Sequence, residues 1–496
     1  MSKKILIILT LVMALLVGVS LVSAQGPSKL PGSGWWSGQQ IQNVGEGPAS
    51  ITFTTYDMNG TGVPCGNPKS ADKGASVNFL TVDCNNITTP FVGSAVVSSN
   101  EPIVAQVNVV NMSLTGGPGG RAAGMYRGTD GSDVSKEIAF PLMKHNFFKR
   151  STALYIQNAS TEDNNITVTV KIGNTPHVKQ FTGVKPYAMV VVGPTDTNPP
   201  MPTNQYGSAT VTGTQPLAGT ALEFEEGVAL GNNLHAYTAF TPQDYAPKAY
   251  CPLIRSNFVN LNTGIQAQNV SQNPQQIKIT YSYRIKGQGT LETESVTKGP
   301  INPGAAAVFS TWLELPKDAV GSAVVEGLGN GNIAVTVNDE TFTLNPNRVT
   351  AYSCFPDTAS QKTTEVAIPL YKEFYLGDTS GIQIQNIGTG NANVTVTYFP
   401  TGYYPTNLTS SGPVVFKNTS PIPPNASLNL YRVSNPLPVI QVDSGNPSTL
   451  LNSYGSVLVE SNQPIVAIVN EEPGATGGAA RPASNQDAKQ YEGFNQ

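Results

Sequence analysis

The sequence predicts an all-β chain built as four tandem immunoglobulin-like β-sandwich repeats of about 115 residues. Three observations predict it. A Gln-Asn pair recurs as Gln42-Asn43, Gln157-Asn158, Gln268-Asn269 and Gln385-Asn386. Eight residues after each Asn begins a segment of period-two alternation: Ile51-Thr52-Phe53, Ile166-Thr167-Val168, Ile277-Lys278-Ile279 and Val394-Thr395-Val396. Successive side chains of a strand point to opposite faces, so this pattern buries one face and wets the other. No stretch carries 3.6-residue periodicity with caps at both ends, so little helix is expected.

The chain opens with Lys3 and Lys4, an apolar run from Ile5 to Val17 and the small residues Val22-Ser23-Ala24, the build of a cleavable secretory signal over residues 1–24. The mature chain is expected to begin near Gln25. The apolar run is short for a bilayer and no second run of that kind follows, so no membrane span is expected in the mature chain. Charged residues make up only 12% of the sequence, with 48 Gly and 38 Pro, which suits a turn-rich β surface. A net charge of −4 without a basic cluster argues against nucleic acid and anionic membranes as partners.

Within the repeats, Pro141-Leu142, Pro252-Leu253 and Pro369-Leu370 stand at one fixed distance before the Asn of copies two to four. Leu30-Pro31-Gly32 in the first copy is out of that register. A second block opens with Gly93-Ser94, Gly207-Ser208, Gly321-Ser322 and Gly455-Ser456, followed in three copies by Pro102, Pro216 and Pro464. Connectors rich in Gly, Ser and Asn each hold one Tyr: Tyr126, Tyr237, Tyr352 and Tyr491. The expected units are 25–133, 134–246, 247–362 and 363–472, with a connector-like tail over 473–496. Strand density fits an immunoglobulin-like sandwich, with a jelly roll or another two-sheet arrangement as the alternative.

Four cysteines in an exported chain imply two disulfides, and sequence alone allows three connectivities. Cys65 and Cys84 fall within the first copy, whereas Cys251 and Cys354 flank the third, which requires the connector after copy three to run back along its own unit.

On these blocks the chain resembles the tandem β-sandwich repeats of bacterial secreted and cell-surface proteins, among them adhesins, S-layer and sheath components. The resemblance covers about Trp35 to Gln496 and implies an exterior structural or adhesive role without specifying an activity.

Catalytic chemistry is not expected. No Ser has Gly at both flanking positions of a nucleophile elbow, and neither phosphate-loop nor dinucleotide-binding glycine patterns occur. His145, His177 and His235 all lie in one copy or its connector, which argues against a triad or zinc site. The acidic groups Glu223, Glu225 and Glu226, Asp339 with Glu340, and Glu471 with Glu472 recur at one point of three copies, expected just past the last strand. They read as solvated capping charges. The sharper alternative is calcium between units, with Asn338, Asp339, Asn470 and Glu471 as ligands. Trp35-Trp36, Phe147-Phe148 and Tyr403-Tyr404 could stack on glycan rings, though such residues are more often core. Sequons such as Asn59, Asn86, Asn165, Asn393, Asn407 and Asn425 follow from composition. No cofactor is implied. The expected function is a secreted structural or cell-surface protein presenting a rod of domains, with self-association or an envelope partner. An adhesin gripping glycan or a partner through its loops is the alternative. A tail that ends on a connector could cover the open first strand edge of a neighbouring copy.

Overall fold

The computed structural model describes residues 28–88, 90–112, 121–226, 234–341, 349–403, 412–435, 437–473 and 489–495, so the expected export signal lies outside the described residues. Among these the chain is all-β. Every ladder is antiparallel, and helix is limited to the turn Thr311–Glu314 and short 3₁₀ turns. No described helix is long and apolar enough to cross a membrane.

The strands group by pairing into sets, and the third shows the plan. Its Pro-Leu strand Lys248–Ser256 leads to the Gln-Asn strand Leu261–Asn269, the alternating strand Gln275–Ile285 and its hairpin partner Glu292–Ile301. A short strand Ala306–Ser310, the Gly-Ser strand Ala319–Gly327, a return strand Ile333–Thr341 and the tyrosine strand Val349–Ser353 follow. One sheet runs hairpin partner, alternating, Gly-Ser, Pro-Leu. The other runs short, Gln-Asn, return, tyrosine.

The same pairings hold for Ser135–His145, Arg150–Asn158, Asn164–Ile172, Thr175–Val184, Met189–Val192, Gln205–Glu225 and Leu234–Thr238, where the Gly-Ser and return strands are the two halves of Gln205–Glu225. They hold again for Glu365–Tyr375, Asp378–Asn386, Val394–Tyr403, Val414–Asn418, Ser427–Tyr431, Ser453–Ser461, Ile465–Pro473 and Lys489–Glu492. The first set has Trp35–Asn43, Ala49–Asp57, Gly62–Pro64 with Lys69–Ala71, Ser76–Leu80, Gly93–Ser99, Ile103–Met112 and Arg121–Arg127. Among the described residues it has no Pro-Leu strand.

Hydrogen-bonded neighbours in both sheets are one, three or five strands apart in chain order. An immunoglobulin sandwich, ordered ABED against CFG, has no pair five apart. The nesting here is jelly-roll-like, with each sheet closing long loops over shorter ones. The stretches expected to be connectors between units are ladder strands. Arg121–Arg127, Leu234–Thr238, Val349–Ser353 and Lys489–Glu492 each pair with the return strand before them. Lys489–Glu492, in the segment expected to be a tail, is therefore held by Ile465–Pro473 of its own set.

Period-two burial gives each set its core. Ile277, Ile279 and Tyr281 are at 0% exposure on one face of their strand, as are Val325 on the neighbouring strand and Val335 in the other sheet. The sets also pack on one another. The four tyrosine strands contact each other in succession, and the last contacts the first. Each Pro-Leu strand lies over the Gln-Asn and return strands of the next set, Glu365–Tyr375 lying over Trp35–Asn43 and Ile103–Met112. The succession closes on itself. A rod, the arrangement expected of tandem repeats, would keep the first and fourth sets apart, so that expectation is corrected.

Candidate functional site: the joints between strand sets

The glycine of each Gly-Ser pair is required by a close approach. A Cβ on Gly321 would lie 2.0 Å from the Ser282 carbonyl, and one on Gly455 would lie 2.0 Å from that of Phe399. The serine beside it then reaches into the next set. Ser208 Oγ donates to the Gly304 carbonyl (2.6 Å), Ser322 Oγ to Asn425 (2.6 Å), and Ser94 Oγ to Tyr187. Ser456 Oγ donates to Gly74 of the first set (2.7 Å), closing the succession.

Each of those carbonyls also accepts the glutamine of its own Gln-Asn pair. Gln42 Nε2 lies 3.0 Å from the Gly74 oxygen, Gln157 Nε2 3.3 Å from that of Tyr187, Gln268 Nε2 3.1 Å from that of Gly304, and Gln385 Nε2 3.2 Å from that of Asn425. All four carbonyl-bearing residues are left-handed, with φ of 76° at Gly74, 58° at Tyr187, 74° at Gly304 and 64° at Asn425. Gly and Asn adopt this backbone readily, and Tyr187 does so at a cost of about 1–2 kcal/mol. The two repeated motifs thus converge on one carbonyl per joint. The asparagine of the pair works within its set: Asn269 Nδ2 donates to the Asn273 and Ile301 carbonyls, and Asn386 Nδ2 to those of Gly390 and Ile422.

The Pro-Leu pairs mark bulges, where the ladder to the Gly-Ser strand shifts register. Proline has no N–H to give a ladder, which suits a bulge. The freed leucine backbone is taken by the tyrosine of the same set. Tyr352 Oη donates to the Leu253 carbonyl (2.6 Å) and accepts from its N–H (3.2 Å). Tyr237 does the same at Leu142, and Tyr491 at Leu370. Burial pushes the phenols of Tyr237, Tyr352 and Tyr491 well above the usual range, so they stay protonated donors.

Three residues beyond each proline stands a cation, Lys144, Arg255 or Lys372, and it meets the recurring acids. Lys144 Nζ lies 2.9 Å from Glu223 and 3.3 Å from Glu340 of the next set, which Arg150 also reaches (3.0 Å). Arg255 bonds Asp339 (2.9 Å) and Glu472 of the next set (3.4 Å). Lys372 bonds Glu471 (2.8 Å) and Asp378 (3.1 Å), and Lys489 reaches Glu471 as well. Glu223, Asp339 and Glu471 are buried, so the expectation of solvated capping charges is corrected. These acids neutralise cations at the joints. Burial alone would raise Glu340, but Lys144 and Arg150 hold it at about 2. Burial pushes Asp339 up to about 6 against the pull of Arg255. His235, buried at this joint with neither ring nitrogen hydrogen-bonded, is held well below its usual value by burial and then by Arg150.

The residue after each tyrosine meets its counterparts where the tyrosine strands end: Arg127, Thr238, Ser353 and Glu492 share a cavity of about 20 Å³. Thr238 Oγ1 donates to the Arg127 carbonyl, Ser353 Oγ to that of Thr238, and the Ser353 N–H to the Glu492 carboxylate.

The remaining candidates have structural partners. Cys65 lies beside Cys84 and Cys251 beside Cys354, each pair with Cα atoms 4.7 Å apart. The second pair fastens the stretch after Tyr352 to the Pro-Leu strand of its own set. His145 Nδ1 contacts the Met201 carbonyl and His177 Nδ1 that of Pro199. Of the suggested calcium ligands, Asp339 and Glu471 face cations and Asn470 donates to Gln383. Among the described residues no group of three or more metal-ligating side chains gathers. Trp35 Nε1 donates to the Pro31 carbonyl, Tyr403 is buried, and Phe148 is 75% exposed at a hairpin tip. Tyr404 and Asn407 lie outside the described residues. The joint cation was readable but missed. Lys29, Lys144, Arg255 and Lys372 all stand fourteen residues before the motif Asn, and Lys29 bonds Asp196 of the next set at 3.0 Å.

No protein-family model and no curated protein matches the chain. Solved structures match in part. The crystal structure of Thermotoga maritima 1070 is 19% identical over 27% of this chain and 96% of that one, at a TM-score of 0.18. An anti-sigma factor domain-containing protein from Clostridium clariflavum is 8% identical over 88% of this chain and 99% of that one, at 0.11. A β-porphyranase of glycoside hydrolase family 86 from Bacteroides plebeius is 12% identical over 44% and 35%, at 0.07. At these scores none informs the fold or the function.

Proposed function

We propose that the chain is an exported, non-enzymatic scaffold of four copies of one eight-stranded sandwich unit, closed into a ring by the serine–carbonyl–glutamine joints. The observation that carries this reading is the bond from Ser456 to the Gly74 carbonyl, which repeats at the chain's closure the contact made at three joints along it. Supporting it, the recurring polar motifs and acids are engaged in joints, clamps and ion pairs. The ring takes the place of the rod, and its role is to hold a set of loops in fixed relation. Fractionation of expressing cells with an antibody to the protein tests export and display. The chain is expected outside the cytoplasm with Gln25 as its first residue, and recovery of an uncleaved cytoplasmic chain would sink the reading.

One observation favours the adhesin variant of this role. The hairpins after the Pro-Leu strands of the second and third sets place Phe148 (75% exposed) and Val259 (63% exposed) at their tips, in the left-handed region that bulky residues avoid. A Phe148→Ser, Val259→Asn double variant that folds but loses attachment to a glycan array or envelope preparation would support it. Unchanged attachment would remove it.

A further inference from the structure

The Gly-Ser strands of the second, third and fourth sets are paired on both edges, by the alternating strand on one side and by the Pro-Leu strand on the other. Gly93–Ser99 pairs with Ala49–Asp57, and among the described residues nothing pairs with its other edge. The consequence shows in burial. Ala209 and Val211 are at 0% exposure, as are Val457 and Val459, while their counterparts Ala95 and Val97 are only partly buried. Ile465 and Ala467 are at 0%, whereas the matching Ile103 and Ala105 are also partly buried. These four residues line an apolar slot beside an open strand edge. The edge sequence, Ser94-Ala95-Val96-Val97-Ser98-Ser99, has none of the lysines or prolines that commonly guard such edges.

The slot continues an interface. Lys29 stands at the position of the joint cations and bonds Asp196, Leu30 is buried against Met189 and Val191, and Tyr155 Oη donates to the Ser28 carbonyl. Counted in the same register, the sequence positions that fall opposite Ala95–Ser98 are 22–25, and 22–24 belong to the segment that reads as a cleaved export signal. We propose that the Gly93–Ser99 edge is a β-augmentation site that takes an extended segment of a partner polypeptide, about five residues long and apolar at alternate positions. The occupant is defined by what fills the equivalent slot elsewhere in the chain: Ile138-Ala139-Phe140 and Val366-Ala367-Ile368, paired antiparallel to their Gly-Ser strands. Main-chain hydrogen bonds supply the attachment and the slot selects apolar side chains at alternate positions. This rests on the equivalence of the sets proposed above.

Hydrogen exchange with mass spectrometry on residues 25–496 tests it, alone and with a 1 mM synthetic peptide of the sequence Glu365–Tyr375. Alone, the outward amides within 94–98 are expected to exchange at least about 100-fold faster than their counterparts within 208–212. The peptide should slow them at least about tenfold, saturably. The same peptide N-methylated along its bonding edge should not, since it has lost the donors. Protection of 94–98 equal to that of 208–212 without any peptide would show the slot closed by the chain itself and overturn the proposal. No slowing by this peptide or by those of Ser135–His145 and Lys248–Ser256 would overturn it too. The radius of gyration of the same protein reports the ring independently of these amides, so failure of the ring and failure of the slot are read apart.

Discussion

Removing a single hydroxyl should be enough to loosen a strand set, and Tyr352→Phe is the change to make. Tyr352 is at 0% exposure and its Oη serves both backbone groups of Leu253, itself at 1%. Phenylalanine fills the same space and leaves a buried N–H and a buried C=O unanswered. An unsatisfied buried group costs about 1–3 kcal/mol, so the pair should cost about 3 kcal/mol. Tyr126→Phe is the internal control, because no Pro-Leu backbone stands before it in the first set. It should cost about 1 kcal/mol or less. Guanidinium unfolding followed by the fluorescence of Trp312, which lies in the third set, reads the difference. A loss of about 3 kcal/mol moves the midpoint down by roughly 0.5–1.5 M at an unchanged slope. If Tyr352→Phe and Tyr126→Phe unfold together, the clamp contributes nothing and the bulge has another cause.

Other expected outcomes concern charge, packing and covalent closure. His235 is held below its unfolded value near 6.5, so the unfolded chain binds the extra proton, and stability should fall as pH drops below about 6.5. The depressed Glu340 adds to that loss below about 4.5, while Asp339, raised to about 6, gains protons in the native state and offsets part of it between about 6 and 4. The buried tyrosines keep their protons when folded, so stability should also fall above about pH 10, and urea midpoints across pH should form a plateau between these limits. Lys144→Met leaves Glu223 and Glu340 with less counter-charge in a buried site and should cost about 3–5 kcal/mol, read by the same unfolding assay. Gly321→Ala should prevent the third set from folding natively, whereas Gly289→Ala, with nothing within 4 Å, should be nearly neutral by circular dichroism and melting. Replacing Cys251 and Cys354 together by Ser opens a loop of 103 residues and should cost about 4 kcal/mol on the chain-entropy estimate.

The all-β class and the alternating strands were legible because period-two burial is written into every copy, as at Ile277-Lys278-Ile279. The motifs were legible as repeats, but their work was not. Gln268 and Ser208 lie 60 residues apart and meet on a carbonyl of a third segment, Gly304, a convergence that no local pattern encodes. The tyrosine strands read as connectors in the sequence because Gly, Ser and Asn surround them, and turn-like composition outweighs a strand of four to seven residues. The recurring acids are visible in the sequence but read as solvated, since the answering cation stands on another strand. Ring closure was beyond reach, because Ser456 and Gly74 are 382 residues apart and their contact depends on the summed rotation of every joint between them.

Small-angle X-ray scattering of residues 25–496 tests that closure most directly. A compact chain of this length has a radius of gyration of about 23 Å, whereas four sandwiches of roughly 35 Å placed end to end would give about 40 Å. The account predicts a value near the first figure, with Ser456→Ala changing it little because the packing of Glu365–Tyr375 on the first set remains. A value near the second, for a monomer at low concentration, would contradict the ring and with it the joints as its organising contacts.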